Sequence, residues 1–222
     1  MKSIYITTGL LFIISFSVIS QDIIPQKNDE MNDKAVIGGF FSFESKLSTI
    51  HGNNVWFSGG TFGVVIDHHI RIGLGGYSLE SKSIFNYMDP EEDNKVYQFN
   101  TELGYFGLAF EYVFLPDAPV HITIPVLFAG GRACIKQQVP LNQVTFPDPE
   151  EIESTYWATV ERSSLAVIEP GINLELEIFS WMSLDLGTSY RFVWGSHLNS
   201  LPNSDRILSG VSFHTGLIFK CF

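Results

Sequence analysis

The sequence predicts an all-β fold, an eight-stranded antiparallel up-and-down transmembrane β-barrel, and three observations carry that prediction. The first is alternation. From Leu165 to Phe179, Ala166, Ile168, Pro170, Ile172, Leu174, Leu176 and Ile178 recur at every second position against Glu169, Gly171, Asn173, Glu175 and Glu177, the period of a strand with two unlike faces. The second is composition: 45% of the 222 residues are hydrophobic and 17% charged. Soluble domains carry roughly 25% charged residues, so much of this surface is excused from water. The third is spacing, since strand-like segments follow one another through connections that alternate between short and long.

The elements follow in chain order. Residues 1–20 carry Lys2, an apolar run from Ile4 to Val18, and a Val18-Ile19-Ser20 ending, the layout of a secretory signal peptide with cleavage expected after Ser20. The run is shorter than the roughly 20 residues needed to cross a bilayer as a helix. Residues 21–34 are polar and aperiodic and read as a flexible periplasmic leader, leaving 35–222 as the barrel. Strands are predicted near Ala35–Phe43, Val55–Ile66, His69–Ser78, Tyr97–Phe114, Val120–Ile135, Leu165–Phe179, Met182–Trp194 and Ile207–Cys221. Short connections fall at Asp67-His68, Pro116–Pro119 and Ser180; longer ones span Glu44–Asn54, Glu80–Lys95, Lys136–Ser163 and Gly195–Arg206. Tight turns at one end and long loops at the other are the layout of an outer-membrane barrel with the turns periplasmic.

Alternation alone does not say which face looks inward, and a secreted β-sandwich or lipocalin-like barrel is the rival. The lysines favour lipid: Lys2, Lys27, Lys34, Lys46, Lys82, Lys95, Lys136 and Lys220 read as signal, leader, loop or strand-end residues, whereas the polar strand faces hold Gly, Ser, Asn, Glu and Asp. Trp56, Tyr77, Tyr97, Tyr112, Phe114, Trp181 and Trp194 near strand ends suit interfacial girdles. Two features strain the pattern. Pro125 and Pro170 each remove a ladder donor, so a bulge or local break is expected at each. Within Tyr97–Phe114 the apolar phase changes from Phe99-Leu103-Tyr105 to Leu108-Phe110-Tyr112, which predicts an inserted residue near Gly104–Phe106.

With these strands, the Gly-rich stretches Ile37-Gly38-Gly39-Phe40 and Gly73-Leu74-Gly75-Gly76-Tyr77, and a terminal Phe222, the chain from about Ala35 onward resembles the small outer-membrane β-barrel proteins of the OmpA/OmpX-like class. That resemblance implies the outer membrane of a Gram-negative bacterium. It also implies Phe222 as the assembly signal read by the barrel-assembly machinery.

Outward apolar faces would collect Arg71, Glu111, His121, Glu169, Asn173, Glu175, Asp185 and Arg191 in the lumen as a polar network, acids in excess. Eight strands enclose room only for side chains or one small ligand, so a filled plug is expected, with a narrow cation channel as the lesser alternative. Asp-Pro-Glu-Glu occurs twice, contributing Asp89, Glu91 and Glu92 to one outer loop and Asp148, Glu150 and Glu151 to another; these read as solvated acidic tips lacking the spacing of a calcium loop. Ser196, His197 and Asp205 share an outer loop and are the weak catalytic candidates for a lipid-modifying enzyme acting on acyl esters. Cys134 and Cys221 should lie at opposite strand ends, too far apart for a disulfide. No metal or cofactor motif is present. With 13 Lys and Arg against 24 Asp and Glu, a formal charge of −11 excludes a nucleic-acid partner. The expected role is structural or interactive, for a monomer in contact with outer-membrane lipid, lipopolysaccharide and an unknown surface partner.

Overall fold

The computed structural model describes residues 36–89, 95–139 and 156–222. The expected signal and leader segments lie outside the described residues. The elements are β1 (Ile37–Ile50), β2 (Asn53–Ile66), β3 (Ile70–Leu79), β4 (Ser83–Asp89), β5 (Lys95–Phe114), β6 (Val120–Val139), β7 (Tyr156–Phe179), β8 (Met182–Trp194), a short helix α1 (Ser204–Leu208) and β9 (Gly210–Cys221). Neighbours pair antiparallel in the order β3-β2-β1-β9-β8-β7-β6-β5, and a β3–β5 pairing closes the ring at eight strands. Strand β4 stands outside the ring and pairs with the Lys95–Thr101 end of β5. Closure leaves the ring itself without an open edge.

The outer end differs from expectation in four places. Glu44–Asn54 is strand rather than loop, joined by the two-residue turn His51-Gly52, whose positive φ values of 54° and 74° suit a tight hairpin. Glu80–Lys95 contains β4, and the Lys136–Ser163 connection is shortened because β6 and β7 continue to Val139 and back from Tyr156. Strand β9 starts at Gly210, Ile207 belonging to α1.

Pro125 and Pro170 lie beside one another across β6 and β7. Pairing runs to Thr123↔Asn173 and resumes at Val126↔Pro170 in the same register, a local interruption with no inserted residue. Gly171 makes room for it: a Cβ there would stand 3.2 Å from the Pro125 ring. Register shifts occur elsewhere, at Ile135/Lys136 on β6–β7 and at Glu177/Phe179 on β7–β8.

The bulge expected near Gly104–Phe106 is absent, because β5 pairs without a break from Phe99↔Gln137 to Phe114↔Ile122. From Phe99 to Val113 the odd-numbered residues of β5 face inward. What changes is the surroundings. Phe106, Leu108, Phe110, Tyr112 and Phe114 point outward and are exposed, whereas Phe99, Leu103 and Tyr105 point inward and are buried. The lower barrel is therefore apolar outside and polar inside; above Phe106 the sense inverts. The outward belt holds Phe41, Phe43, Phe62, Phe128, Ile172, Leu174, Phe192 and Phe213, all exposed. The outward stretch of β5 from Phe106 to Phe114, at about 3.3 Å per residue and a tilt near 40°, spans roughly 20–25 Å, the height of a hydrocarbon-facing band. Trp181 and Phe179 stack at the turn end, and Trp194 stacks on Phe192 at the other. Tyr77, expected in a girdle, is buried inside the barrel.

Above the belt, inward Ile50, Val55, Phe57, Phe99, Leu103, Ile135, Leu165 and Val193 form an apolar core that Leu198, Leu201 and Leu208 cover from the β8–β9 connection. This inversion is testable by placing one charge at two heights of the outward face. Phe110→Arg, mid-belt, should cost about 2–4 kcal/mol in urea titrations of protein refolded into vesicles. Ser78→Arg, outward but above the belt, should stay within about 0.5 kcal/mol of the parent.

Candidate functional site

Strand alternation brings the predicted lumen residues into the ring, where burial of charge demands partners. They form two tiers. Nearer the tight turns, Arg71 bridges Glu111 at 3.2 Å and Glu175 at 2.8 Å, and Lys220 completes Glu175 from β9. Asn173 donates to Asp185 at 3.1 Å, while His214 Nε2 lies 3.0 Å from the Asn173 side-chain Oδ1 and 3.4 Å from Asp185. His121 sits at the rim, its Nδ1 3.1 Å from the Leu115 carbonyl and its Nε2 3.7 Å from Glu177.

The second tier lies midway along the axis and centres on Glu169. Lys46 reaches it at 2.9 Å, and Tyr105 and Ser189 donate to it at 2.6 Å each. Lys46 also lies 3.3 Å from the centroid of the Tyr77 ring, whose hydroxyl donates to Glu44 at 2.6 Å. Where this tier meets the apolar core, Arg191 is fully buried, donates through Nε to the Leu208 carbonyl at 2.8 Å, and faces the Phe57 ring at 4.6 Å.

Lys46, Glu44, Tyr77 and Tyr105 belong to this network, although sequence reasoning places Lys46 in a loop and Tyr77 at the interface. The signal is there to be read: Ser42, Glu44, Lys46 and Ser48 alternate with Phe41, Phe43 and Leu47, continuing the inward face of β1. Their inclusion narrows the expected acidic excess to five carboxylates against four cations without removing it. Glu44, Glu111, Glu169, Glu175 and Asp185 face Lys46, Arg71, Arg191 and Lys220, with two histidines beside them. Between the tiers remains a cavity of about 50 Å³ lined by Glu44, Lys46, Arg71, Glu111, Asn173 and Asp185 among others. That is room for a few waters, given that one needs at least about 10–15 Å³ of such space.

The outer candidates part company. Asp205 accepts from the backbone N–H of Ser196 at 2.8 Å and of Gly195 at 3.2 Å, and directly from the Ser196 hydroxyl. The His197 ring turns away, its Nδ1 2.8 Å from the Gly195 carbonyl, while its backbone N–H is held by Ser163 at 2.8 Å. In a nucleophilic triad the histidine stands between acid and serine; here acid and serine touch, and the histidine is exposed beside them. The group is a clasp for the connection that covers the apolar core, with Ser200 tied to Glu161 at 2.6 Å. Partial burial acts to raise the Asp205 pKa, but the Ser196 hydroxyl and the two backbone donors outweigh it and hold the carboxyl below the usual aspartate range. Across the rim, His51 stacks on Phe85 at a centroid distance of 4.3 Å, and burial lowers its pKa.

Glu91, Glu92, Asp148, Glu150 and Glu151 lie outside the described residues, as does the side chain of Asp89. Cys134 and Cys221 are free thiols. Phe222 follows β9, half exposed, with its ring 4.3 Å from that of His68 in the first tight turn.

A closed eight-stranded ring with an apolar outward belt and a charge-paired interior defines a small transmembrane β-barrel of the outer-membrane kind. No family model and no curated protein matches the chain. Among solved structures it is similar to Neisserial surface protein A, at 12% identity over 86% of this chain and 100% of that one, with a TM-score of 0.48. It is similar also to a major outer membrane protein from Thermus thermophilus, at 13% identity over 82% and 98% of the two chains, TM-score 0.46. A third is the N-terminal β-barrel domain of Pseudomonas aeruginosa OprF, at 10% identity over 82% and 98%, TM-score 0.42.

The central ion pair and the outer clasp can each be tested by substitution. Lys46→Met should cost about 3–5 kcal/mol by leaving Glu169 buried without its cation, and adding Glu169→Gln should restore part of that loss in the same denaturation assay. A carboxyl with a depressed pKa contributes stability that is complete above its unfolded value and lost as pH falls through its folded value. The 195–209 clasp should thus hold at neutral pH and loosen in acid, below the ordinary carboxylate range. Amide exchange of this segment should quicken there, and Asp205→Asn should produce the same quickening at pH 7 with the barrel amides unchanged.

Proposed function

We propose that the chain is a monomeric outer-membrane barrel of a Gram-negative envelope, acting as a sealed anchor that presents its outer end for contacts at the cell surface. The observation that carries this reading is the filling of the lumen. The Lys46–Glu169 pair and the Arg71, Glu111, Glu175 and Lys220 cluster fill the inner tiers, and apolar side chains pack above them beneath the 195–209 connection. A conduit needs a continuous hydrated path, and the space left between the tiers is a cavity of about 50 Å³. In this reading the signal segment is removed after Ser20, the assembly machinery engages Phe222, and the working surface is built from 80–95 and 136–163. The free end of that surface includes β4 and the upper parts of β6 and β7.

Membrane fractionation should recover the protein with the outer membrane. It should migrate on gels as a compact form that shifts only after boiling. Purified folded protein in planar bilayers should give no steady conductance; stable single-channel steps would sink the sealed-anchor reading while leaving the barrel intact.

A further inference from the structure

Among the basic side chains described, Lys46, Arg71, Arg191 and Lys220 turn into the lumen, and Lys82 and Arg206 lie between strands and on α1. The remaining three, Arg132, Lys136 and Arg162, stand together on the outward face of β6 and β7. Arg132 is opposite Ser164 and Arg162 opposite Cys134, a diagonal arrangement that sets their Cβ atoms roughly 7 Å apart. Both arginines are exposed, and no carboxylate among the described residues pairs with either. Lys136, further along β6, is tied to Glu102.

Their height matters as much as their charge. Moving down the outward face from Arg132 come Gly130 and then exposed Phe128; down from Arg162 come Ser164 and Ala166, the latter opposite the girdle residue Trp194. The guanidiniums therefore begin about 7 Å of strand above the bare Gly130 position, in the zone between hydrocarbon and water. Gly104, opposite Arg132, and Gly130 leave open space on the wall beneath, and arginine's long stem can lie along such a surface with its head in the polar layer. In a chain of net charge −11, this is a local reversal of sign at one height on one side.

We propose that Arg132 and Arg162, flanked by Lys136, seat the phosphate of an outer-leaflet lipid, its acyl chains lying against Phe106 and Phe128. Two planar guanidiniums side by side suit a phosphate group, which they bind through paired charge-assisted hydrogen bonds. The inference rests on the outer-membrane reading and names the lipid contact within it.

The test uses purified, folded full chain in micelles and reads the midpoint temperature of the heat-dependent gel shift, which also reports that each variant is folded. Bis-phosphorylated lipid A should raise the midpoint. The same lipid after dephosphorylation should not, and R132Q/R162Q should weaken the apparent lipid affinity at least tenfold, while R206Q, on α1 beside Thr49 and His51, leaves it unchanged. An equal rise with dephosphorylated lipid, or full retention in R132Q/R162Q, would overturn the proposal. Equal stabilisation by inorganic phosphate alone would overturn the lipid assignment in favour of a free-anion site. Because the micelle assay is independent of fractionation, failure here leaves the cellular location standing, and a different location would not be mistaken for lack of lipid binding.

Discussion

Hydrocarbon offers no hydrogen-bond partners, and the rest of the structure depends on how this chain answers that constraint. Closure of β3 onto β5 satisfies the backbone around the ring. It also obliges each spanning strand to sort its side chains, apolar to the outside, polar to a space too narrow for bulk water. Charges sent there must neutralise one another, because an unpartnered ion in such surroundings costs several kcal/mol. The pairing of Lys46 with Glu169 and the Arg71 bridge to Glu111 and Glu175 are thus conditions of the fold before they are features of a site.

The spanning part of the barrel is legible in the sequence because one rule, alternation, governs it over many residues. The hairpin of β7 and β8 can be read residue by residue, and its inward carboxylates with it. Reading fails where the rule keeps its period but changes its meaning. On β5 the apolar residues move from odd to even positions at Phe106, and a one-dimensional reading can explain that only as an insertion. In three dimensions it marks the height at which the wall leaves lipid and begins to enclose a core of its own. Lys46 escapes through a similar shortcut: a lysine suggests water, although its parity with Ser42, Glu44 and Ser48 directs it inward. Strand β4 is hidden because it pairs with β5 alone and carries no long alternating run. The association of Ser196 with Asp205 is visible as proximity within a polar loop; the outward turn of His197 is not, since ring orientation depends on backbone atoms with no sequence signature.

The two ends of the interior solve different problems with different chemistry. Ion pairs at the tight-turn end specify which strands may meet, since Arg71, Glu111, Glu175 and Lys220 come from four of them. Apolar packing at the far end holds the taller walls together where no bilayer presses on them. Tyr105 joins the two regimes, its ring among the buried apolar residues and its hydroxyl on Glu169.

The unequal lengths of the walls give the molecule a front and a back. Strands β5, β6 and β7 run for 20, 20 and 24 residues, whereas β8 and β9 stop at 13 and 12. The rim is cut on a slant, like the lip of a jug. Anything arriving from above meets a raised screen on one side and a low sill on the other, so rotating the protein about its axis changes what its neighbours encounter. In a crowded membrane, compass bearing as well as distance would govern who can touch whom.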